Sequence, residues 1–287
     1  MLFELALCLI SLAAGMFGGI LGMAGGIFVV PALTLLFGIN IHYAIGASLV
    51  SVIACSSGSA ANFLENRLTN VRLAILLEIG TTLGALTGVF LSGVFPVQVL
   101  YFLFALILLV SAYAMFRQGS IISSESPVAT VPDPLALKLG LNSSYPGPDG
   151  KPDIPYKVGR VWLGMILMYG AGAVSALLGI GSGVLKVPAM DSALKLPIKV
   201  SSATSNFMIG VTAAASAGIY YVHGDIVPMI AAPVAIGSMG GAFLGSKLMV
   251  RMPGRRIRYL FIGVLLLLAA EMLMTAFGSK VAKEMLS

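Results

Sequence analysis

Ten long apolar segments, separated by short polar stretches, restrict the folds that are open to this chain. They cover roughly residues 2–21, 25–38, 43–63, 72–95, 97–116, 161–179, 182–195, 200–222, 227–250 and 259–277. Most of them approach the length of about twenty residues that an α-helix needs to cross the hydrocarbon core of a bilayer. Charged residues make up only 10% of the chain, against 58% for hydrophobic ones. The chain is therefore predicted to be an all-α polytopic membrane protein embedded in a lipid bilayer.

The segments fall into two sets of five, which predicts three parts of the chain. Residues 1–116 form an N-terminal transmembrane repeat, and residues 161–287 form a C-terminal one. The stretch 117–160 between them contains seven of the fourteen prolines and the run NSSYPGPDGKPD. That composition predicts a linker loop with no core of its own.

The two halves share a motif at a constant spacing. GMAGGIFVVP, which begins at Gly22, recurs as GIGSGVLKVP, which begins at Gly179, 157 residues later. Two glycine stripes recur at the same offset, namely Gly80, Gly84 and Gly88, and then Gly237, Gly241 and Gly245. Residues four apart share a helix face, so each stripe is predicted to form a groove for the backbone of another helix. Such a groove suits a homodimer as well as an internal pair of helices.

The basic residues indicate how the segments cross the membrane. If all ten segments cross, fourteen Lys and Arg residues fall on one side and two on the other. If segments 25–38 and 182–195 re-enter instead, the split is nine against seven. The positive-inside rule favours the first arrangement. We expect both termini outside the cell membrane, the linker 117–160 in the cytoplasm, and two inverted repeats with glycine-broken short helices near the membrane midplane.

The two glycine breaks are the predicted substrate site. Helices that restart after a break present free backbone N–H groups and the positive end of the helix dipole to an anion. The break residues are Ala24, Gly25 and Gly26 in the first half, and Gly181, Ser182 and Gly183 in the second. Lys186 follows the second break inside an apolar segment, where a positive charge would attract an anion. The alternatives are that Lys186 pairs with Asp191 or extends to the membrane surface.

Several polar side chains in the apolar segments are further candidates. Ser48 and Ser205 correspond at the 157-residue offset, and Asn206 ends the second of two polar runs. These groups can complete the hydrogen-bond shell of an anion, although hydroxyls in membrane helices often bond to backbone carbonyls instead. Glu78 and Glu271 are carboxylates within apolar segments, and either could carry a coupling proton. A position for Glu78 at the membrane surface is the alternative.

Other classes of function find little support in the sequence. The two histidines, His42 and His223, are not clustered with acids or cysteines, so we expect no metal site and no cofactor. Cys8 and Cys55 lie in apolar segments without a redox or metal spacing and are interpreted as packing residues. No nucleophile and base are placed on facing segments, so no catalytic residue is assigned and the chain is not expected to be an enzyme. A cation or metal permease stays open as an alternative.

A basic cluster lies between the last two segments. Its members are Arg251, Arg255, Arg256 and Arg258. Such a cluster is typical of a topology anchor that contacts anionic lipid headgroups. Binding to nucleic acid is not expected.

A glycine-rich break that runs into Val-Pro in both halves resembles the sulfite exporter TauE/SafE family. Small-residue runs follow the breaks, AIGASLVS in the first half and SSATSNF in the second. The resemblance covers roughly residues 5–116 and 160–277. The family pattern has three consecutive glycines before Val-Pro, and both breaks here depart from it with small residues. The resemblance implies a transporter that exports sulfite or a small organosulfonate, while another small anion stays open as the substrate.

Overall fold

Long helices make up most of the structure. The computed structural model describes residues 2–23, 25–91, 97–121, 133–147, 152–178 and 183–284. The helices are α1 (Leu2–Leu21), α2 (Gly26–Pro31), α3 (Ile41–Glu65), α4 (Val71–Leu91), α5 (Val97–Ile121), α6 (Pro134–Lys138), α7 (Val161–Leu178), α8 (Gly183–Ser192), α9 (Ile198–Val222), α10 (Pro228–Arg251) and α11 (Gly254–Glu284). A π-helical turn, Ala32–Leu36, extends α2. Strands β1 (Ser143–Tyr145) and β2 (Ile154–Tyr156) form one antiparallel pair.

The surface of the helices is suited to lipid. Five of the described helices contain spans that are long and apolar enough to cross a membrane: Phe3–Leu21, His42–Glu65, Val71–Gly88, Pro228–Arg251 and Gly254–Met274. Large apolar side chains point outward, such as Ile75, Ile166 and Ile236, which are 61%, 64% and 69% exposed. Surfaces of this kind are stable against hydrocarbon rather than water. The prediction of an all-α membrane protein is confirmed.

The helix boundaries repeat with the sequence offset. Four pairs of helices begin 157 residues apart, and the pairs of first residues are Gly26 and Gly183, Ile41 and Ile198, Val71 and Pro228, and Val97 and Gly254. Helices α3 and α9 also end at that spacing, at Glu65 and Val222. The two halves therefore contain the same helices in the same order.

The glycine stripes confirm their predicted role as grooves for another backbone. A Cβ atom placed on Gly84 of α4 would lie 1.9 Å from the carbonyl oxygen of Tyr169 on α7. The same contact recurs at the 157-residue offset, because a Cβ on Gly241 of α10 would lie 2.0 Å from the carbonyl oxygen of Leu12 on α1. In each case the helix that fills the groove belongs to the other half of the chain. Glycine is required here because the two backbones touch.

Helix α8 lies in the interior of the molecule. All residues from Gly183 to Asp191 are buried, because α5, α7 and α9 surround them. The polar side chains of this short helix are thus held away from both lipid and water.

The linker contains more structure than the sequence predicts. It is predicted to be a loop from residue 117, but α5 continues to Ile121 and the later part forms α6 and the β1–β2 hairpin. Leu141, Tyr156 and Val158 are buried in one cluster with side chains of α4, α7 and α8. The apolar side chains between the prolines therefore dock on the ends of the membrane helices, and their core is shared with those helices.

Candidate functional site

The first glycine break separates two helices that are nearly continuous in sequence. Helix α1 ends at Leu21 and α2 begins at Gly26. Gly22 and Gly25 have φ angles of 73° and 70°, in the left-handed region that favours glycine. Ala24 of this break lies outside the described residues. In the second break α8 begins at Gly183, and the predicted site residues Gly181 and Ser182 lie outside the described residues.

The two breaks lie next to each other. A Cβ atom on Gly183 would lie 3.1 Å from the Cα of Met23. Helix α9 of the second half also crosses the first break, where a Cβ on Gly22 would lie 2.2 Å from the carbonyl oxygen of Ser202. Both breaks therefore meet beside the first turns of α9.

Two predicted hydroxyls bond to the first break. Ser48 of α3 donates to the carbonyl oxygen of Gly26 at 3.3 Å, and Ser205 of α9 donates to that of Gly22 at 3.0 Å. Breaking a helix in a membrane leaves carbonyls that must find a donor inside the protein. One hydroxyl from each half thus stabilises the break, and both bond to the backbone of another element rather than of their own helix.

Asn206 lies in a polar seam between α9 and α3. Its side-chain amide donates to the hydroxyl of Ser59, and its backbone oxygen accepts from Ser56 at 2.8 Å. The Asn206 carbonyl oxygen Oδ1 and the hydroxyls of Ser201 and Ser202 have no hydrogen-bond partner among the described residues, although all three side chains are 0% exposed. Buried polar groups without partners are costly unless a ligand or water satisfies them. This turn of α9 therefore offers free donors and acceptors beside the break.

Lys186 is fully buried and forms an ion pair with Glu78. The lysine Nζ lies 3.0 Å from Glu78 Oε2 on α4 and 3.4 Å from Thr212 Oγ1 on α9. The Lys186 side chain is 0% exposed and that of Glu78 is 13% exposed. The two alternatives for Lys186, a pair with Asp191 and an extension to the membrane surface, are both wrong. Glu78 is half-buried and faces this buried charge.

A second buried ion pair joins α8 to α11. Arg258 Nη2 lies 2.8 Å from Asp191 Oδ1, and Arg258 Nη1 donates to the carbonyl oxygen of Met115 on α5. Arg258 is only 7% exposed, so its assignment to the lipid-contacting basic cluster is wrong. A guanidinium group can pair with a carboxylate inside a protein, and this pair anchors the end of α8 that is distant from the break.

A groove of about 400 Å³ runs between α4 and α9 and reaches Glu78. Its other walls are mainly apolar, and they are formed by Ala74, Ile75, Ile79, Thr82, Leu83, Phe207, Met208 and Val211. The pair of helices that corresponds to it at the offset, α10 and α3, is closed. Ser51 and Ser238 share a hydrogen bond of 2.5 Å there, and a Cβ on Gly58 would lie 2.8 Å from the carbonyl oxygen of Met239.

Sequence reasoning missed the partners of the buried charges. It named Glu78 and Lys186 separately and did not connect them, and it missed Thr212 and Ser59 altogether. Charge balance could have connected them, because a buried lysine is stable only when a carboxylate pairs with it. Among the described residues, no three His, Cys, Asp or Glu side chains are grouped as a metal site.

Comparisons with known proteins relate the chain to membrane transporters. The family model described as "Sulfite exporter TauE/SafE" matches residues 7–272. The probable membrane transporter protein YunE of Bacillus subtilis (strain 168) is 24% identical over 274 residues, which are 93% of this chain and 96% of that protein. YdhB of the same organism, also a probable membrane transporter protein, is 28% identical over 249 residues, 85% of this chain and 90% of YdhB. A probable membrane transporter protein of Magnetospirillum gryphiswaldense, MamO, is 24% identical over 94% of this chain, which spans 45% of MamO. No solved structure matches the chain.

Proposed function

The chain belongs to the sulfite exporter TauE/SafE family, and from this premise we propose that it moves a small sulfur-containing anion, such as sulfite or an organosulfonate, by alternating access. That it is a membrane transporter follows from the family and from relatives that are probable membrane transporter proteins. The substrate and the mechanism are proposed from the geometry of the site.

The fully buried Lys186 is the observation that carries the proposal. It lies one turn after the start of α8 at Gly183, and that start lies against the first break. A charged side chain inside a membrane protein is costly, and such residues typically mark the path of a substrate or ion. A primary ammonium group offers three donors to the oxygens of sulfite or a sulfonate. The site therefore favours an oxyanion over a cation.

Helix α9 supplies the polar groups beside this charge. Thr212 contacts Lys186 directly, and the buried groups of Ser202 and Asn206 lie further toward the breaks on the same helix. We assign the substrate-binding region to the residues of the two breaks, Gly25, Gly26 and Gly183, together with Lys186 and the α9 turn of Ser205 and Asn206. Ala24, Gly181 and Ser182 are the other residues of the two breaks, and we include them in the proposed region from the sequence alone.

Alternating access is supported by the unequal packing of equivalent helices. The contacts of the glycine stripes exchange between halves at the 157-residue offset, as expected for two inverted repeats. Yet α3 is bonded to α10, whereas the equivalent pair α9 and α4 is separated by the groove. In a carrier built from inverted repeats, the halves exchange their conformations when the site changes sides. In this proposal the separated pair α4 and α9 and the closed pair α3 and α10 exchange their packing when the site changes sides.

The proposal includes an orientation of the chain in the membrane. Residues 1–116 and 161–287 form the two transmembrane repeats, and the linker 117–160 lies in the cytoplasm with both termini on the opposite side of the cell membrane. The distribution of Lys and Arg residues supports this orientation.

Flux of labelled sulfite and isethionate into proteoliposomes tests the proposal. The wild-type protein should take up at least one of the two anions, and Lys186→Ala should reduce the rate at least tenfold. Lys247→Ala is the matched control, because Lys247 is an exposed lysine on α10 that contacts the Phe243 ring. Its rate should equal that of wild type. Uptake of neither anion by the wild type, or full uptake by Lys186→Ala, would overturn the proposal.

A further inference from the structure

The ion pair that makes Lys186 stable also neutralises it. Lys186 Nζ and Glu78 Oε2 lie 3.0 Å apart, with side-chain exposures of 0% and 13%. The pair as a whole therefore carries no net charge. An anion that approaches it meets a carboxylate already bound to the ammonium group.

Other charged or titratable groups on the surrounding helices are engaged elsewhere or point outward. Asp191 pairs with Arg258, and the charge of Lys195 acts on Asp191. Lys199 of α9 donates to the carbonyl oxygen of Val250, and Arg72 of α4 to that of Gly140. Among the side chains of α5, α7 and α9 that the structure describes, the exposed titratable groups are Tyr113, Arg117, Tyr169 and Tyr221, and Tyr220 near the end of α9 is half-buried. Among the described residues, Glu78 is thus the charged group that faces Lys186.

Charge balance then limits what can bind. If Glu78 stayed ionised beside a bound anion, the buried site would hold one ammonium and two negative groups within a few ångströms. Like charges in a buried site disfavour each other strongly, and such sites take up a proton instead. With a proton on Glu78, one ammonium faces one monovalent anion, such as hydrogensulfite or a sulfonate, and the site is again neutral.

The local geometry accommodates a proton on Glu78. Its second oxygen, Oε1, is buried and has no hydrogen-bond partner among the described residues. Glu78 also borders the groove between α4 and α9, so its side chain has space to turn away from Lys186. Once protonated, the carboxyl group becomes a hydrogen-bond donor, which an oxyanion can accept.

Resting on the proposed function, we infer that Glu78 carries a coupling proton, so that one anion and one proton bind together at the Lys186–Glu78 pair. The carboxylate takes a proton from the aqueous side to become a carboxylic acid, and the anion replaces it on the ammonium group of Lys186. On the other side of the membrane both leave, the pair re-forms, and the neutral empty site returns. The anion and the proton thus move in the same direction.

Two flux measurements on the same proteoliposomes test this coupling. Exchange of labelled sulfite between equal concentrations on both sides needs only the loaded carrier. Net uptake into sulfite-free liposomes also needs the empty carrier to return. Glu78→Gln mimics the protonated acid, so it should bind and exchange sulfite but leave Lys186 charged and unpaired when empty. We expect exchange within threefold of wild type and net uptake reduced at least tenfold.

Glu271→Gln is the matched control, since Glu271 is a carboxylate on an exposed position of α11. Its exchange and net uptake should both equal those of wild type. A Glu78→Gln protein whose ratio of net uptake to exchange equals that of wild type would overturn the coupling role. So would a Glu271→Gln protein that loses net uptake alone.

If Glu78→Gln does not fold, the wild-type protein decides the question. The ratio of net uptake to exchange should fall as the pH is lowered, because the empty site then stays protonated and cannot return. The pH also changes the protonation of sulfite, but this affects net uptake and exchange equally and therefore cancels in their ratio. A ratio that is constant with pH contradicts the coupling. Absence of exchange in the wild type would instead refute the proposed function, and the two failures are therefore distinguishable.

Discussion

Two buried positions, 157 residues apart, show where the halves of the molecule differ. Val29 of α2 is 1% exposed and packs in a cluster with Ala231 and Val234 of α10. Its counterpart Lys186 of α8 is 0% exposed and pairs with Glu78 of α4. The residue that corresponds to Glu78 is Ala235. The pair joins one residue from each half, and both of the offset-related positions, Val29 and Ala235, carry apolar residues instead.

The difference between Val29 and Lys186 shows which residues the fold requires and which the site requires. The apolar cluster around Val29 shows that the equivalent position packs without any charge. Replacing a buried ion pair with apolar side chains is often neutral or stabilising. The Lys186–Glu78 pair is therefore better explained by transport than by folding.

The largest expected effect is that of removing one member of the pair. Lys186→Ala leaves Glu78 buried without its partner, which typically costs about 3–5 kcal/mol. Val29→Ala removes only two buried methyl groups, which we expect to cost about 1–2 kcal/mol. Thermal unfolding of the two variants in detergent measures the difference. Equal losses of stability would mean that the two positions are equivalent after all.

The glycine grooves should behave alike in the two halves. Gly84→Ala and Gly241→Ala each place a Cβ about 2 Å from a carbonyl oxygen of the facing helix, and forced overpacking of this kind costs about 1–3 kcal/mol. Gly170→Ala is the control, because no atom lies within 4 Å of the added Cβ. Alanine at position 170 should leave the melting temperature unchanged or raise it. A large loss for only one of the two groove variants would contradict the equivalence of the halves.

A smaller effect is expected where the linker meets α4. Asn70 caps α4 by accepting from the backbone N–H of Leu73, and it donates to the Leu141 carbonyl and to Tyr156. The corresponding residue Val227 makes no side-chain cap on α10. Asn70→Val should therefore cost about 1–2 kcal/mol. The linker should also become more sensitive to limited proteolysis, and an unchanged digestion pattern would argue against this docking.

Whether a contact can be predicted from the sequence depends on how far apart its two residues lie along the chain. The apolar segments and the 157-residue offset were enough to predict the helices, because both signals are local or periodic. The burial of Lys186 was also predictable from its place in an apolar segment. Its partner was not, since Glu78 lies 108 residues earlier in the chain and Asp191 was much nearer. Arg258 was misplaced for a related reason, because its neighbours in the basic cluster obscured a partner 67 residues away.

Stability should change least when the pair is replaced as a unit. The double variant Lys186→Val with Glu78→Ala copies the residues at the two positions related to the pair by the 157-residue offset, Val29 and Ala235. Its free energy of unfolding should lie within about 1 kcal/mol of wild type, because no charge is left unpaired. A loss as large as that of Lys186→Ala alone would show that the pair is structural.

Anion-induced thermal stabilisation of that double variant tests the central claim most directly. A ligand that binds only the folded protein raises its melting temperature. Wild type and Val29→Ala should therefore show the same upward shift with sulfite, whereas the double variant should show none while remaining folded. A double variant that is stabilised by sulfite as much as wild type would contradict the claim that the Lys186–Glu78 pair is the anion site.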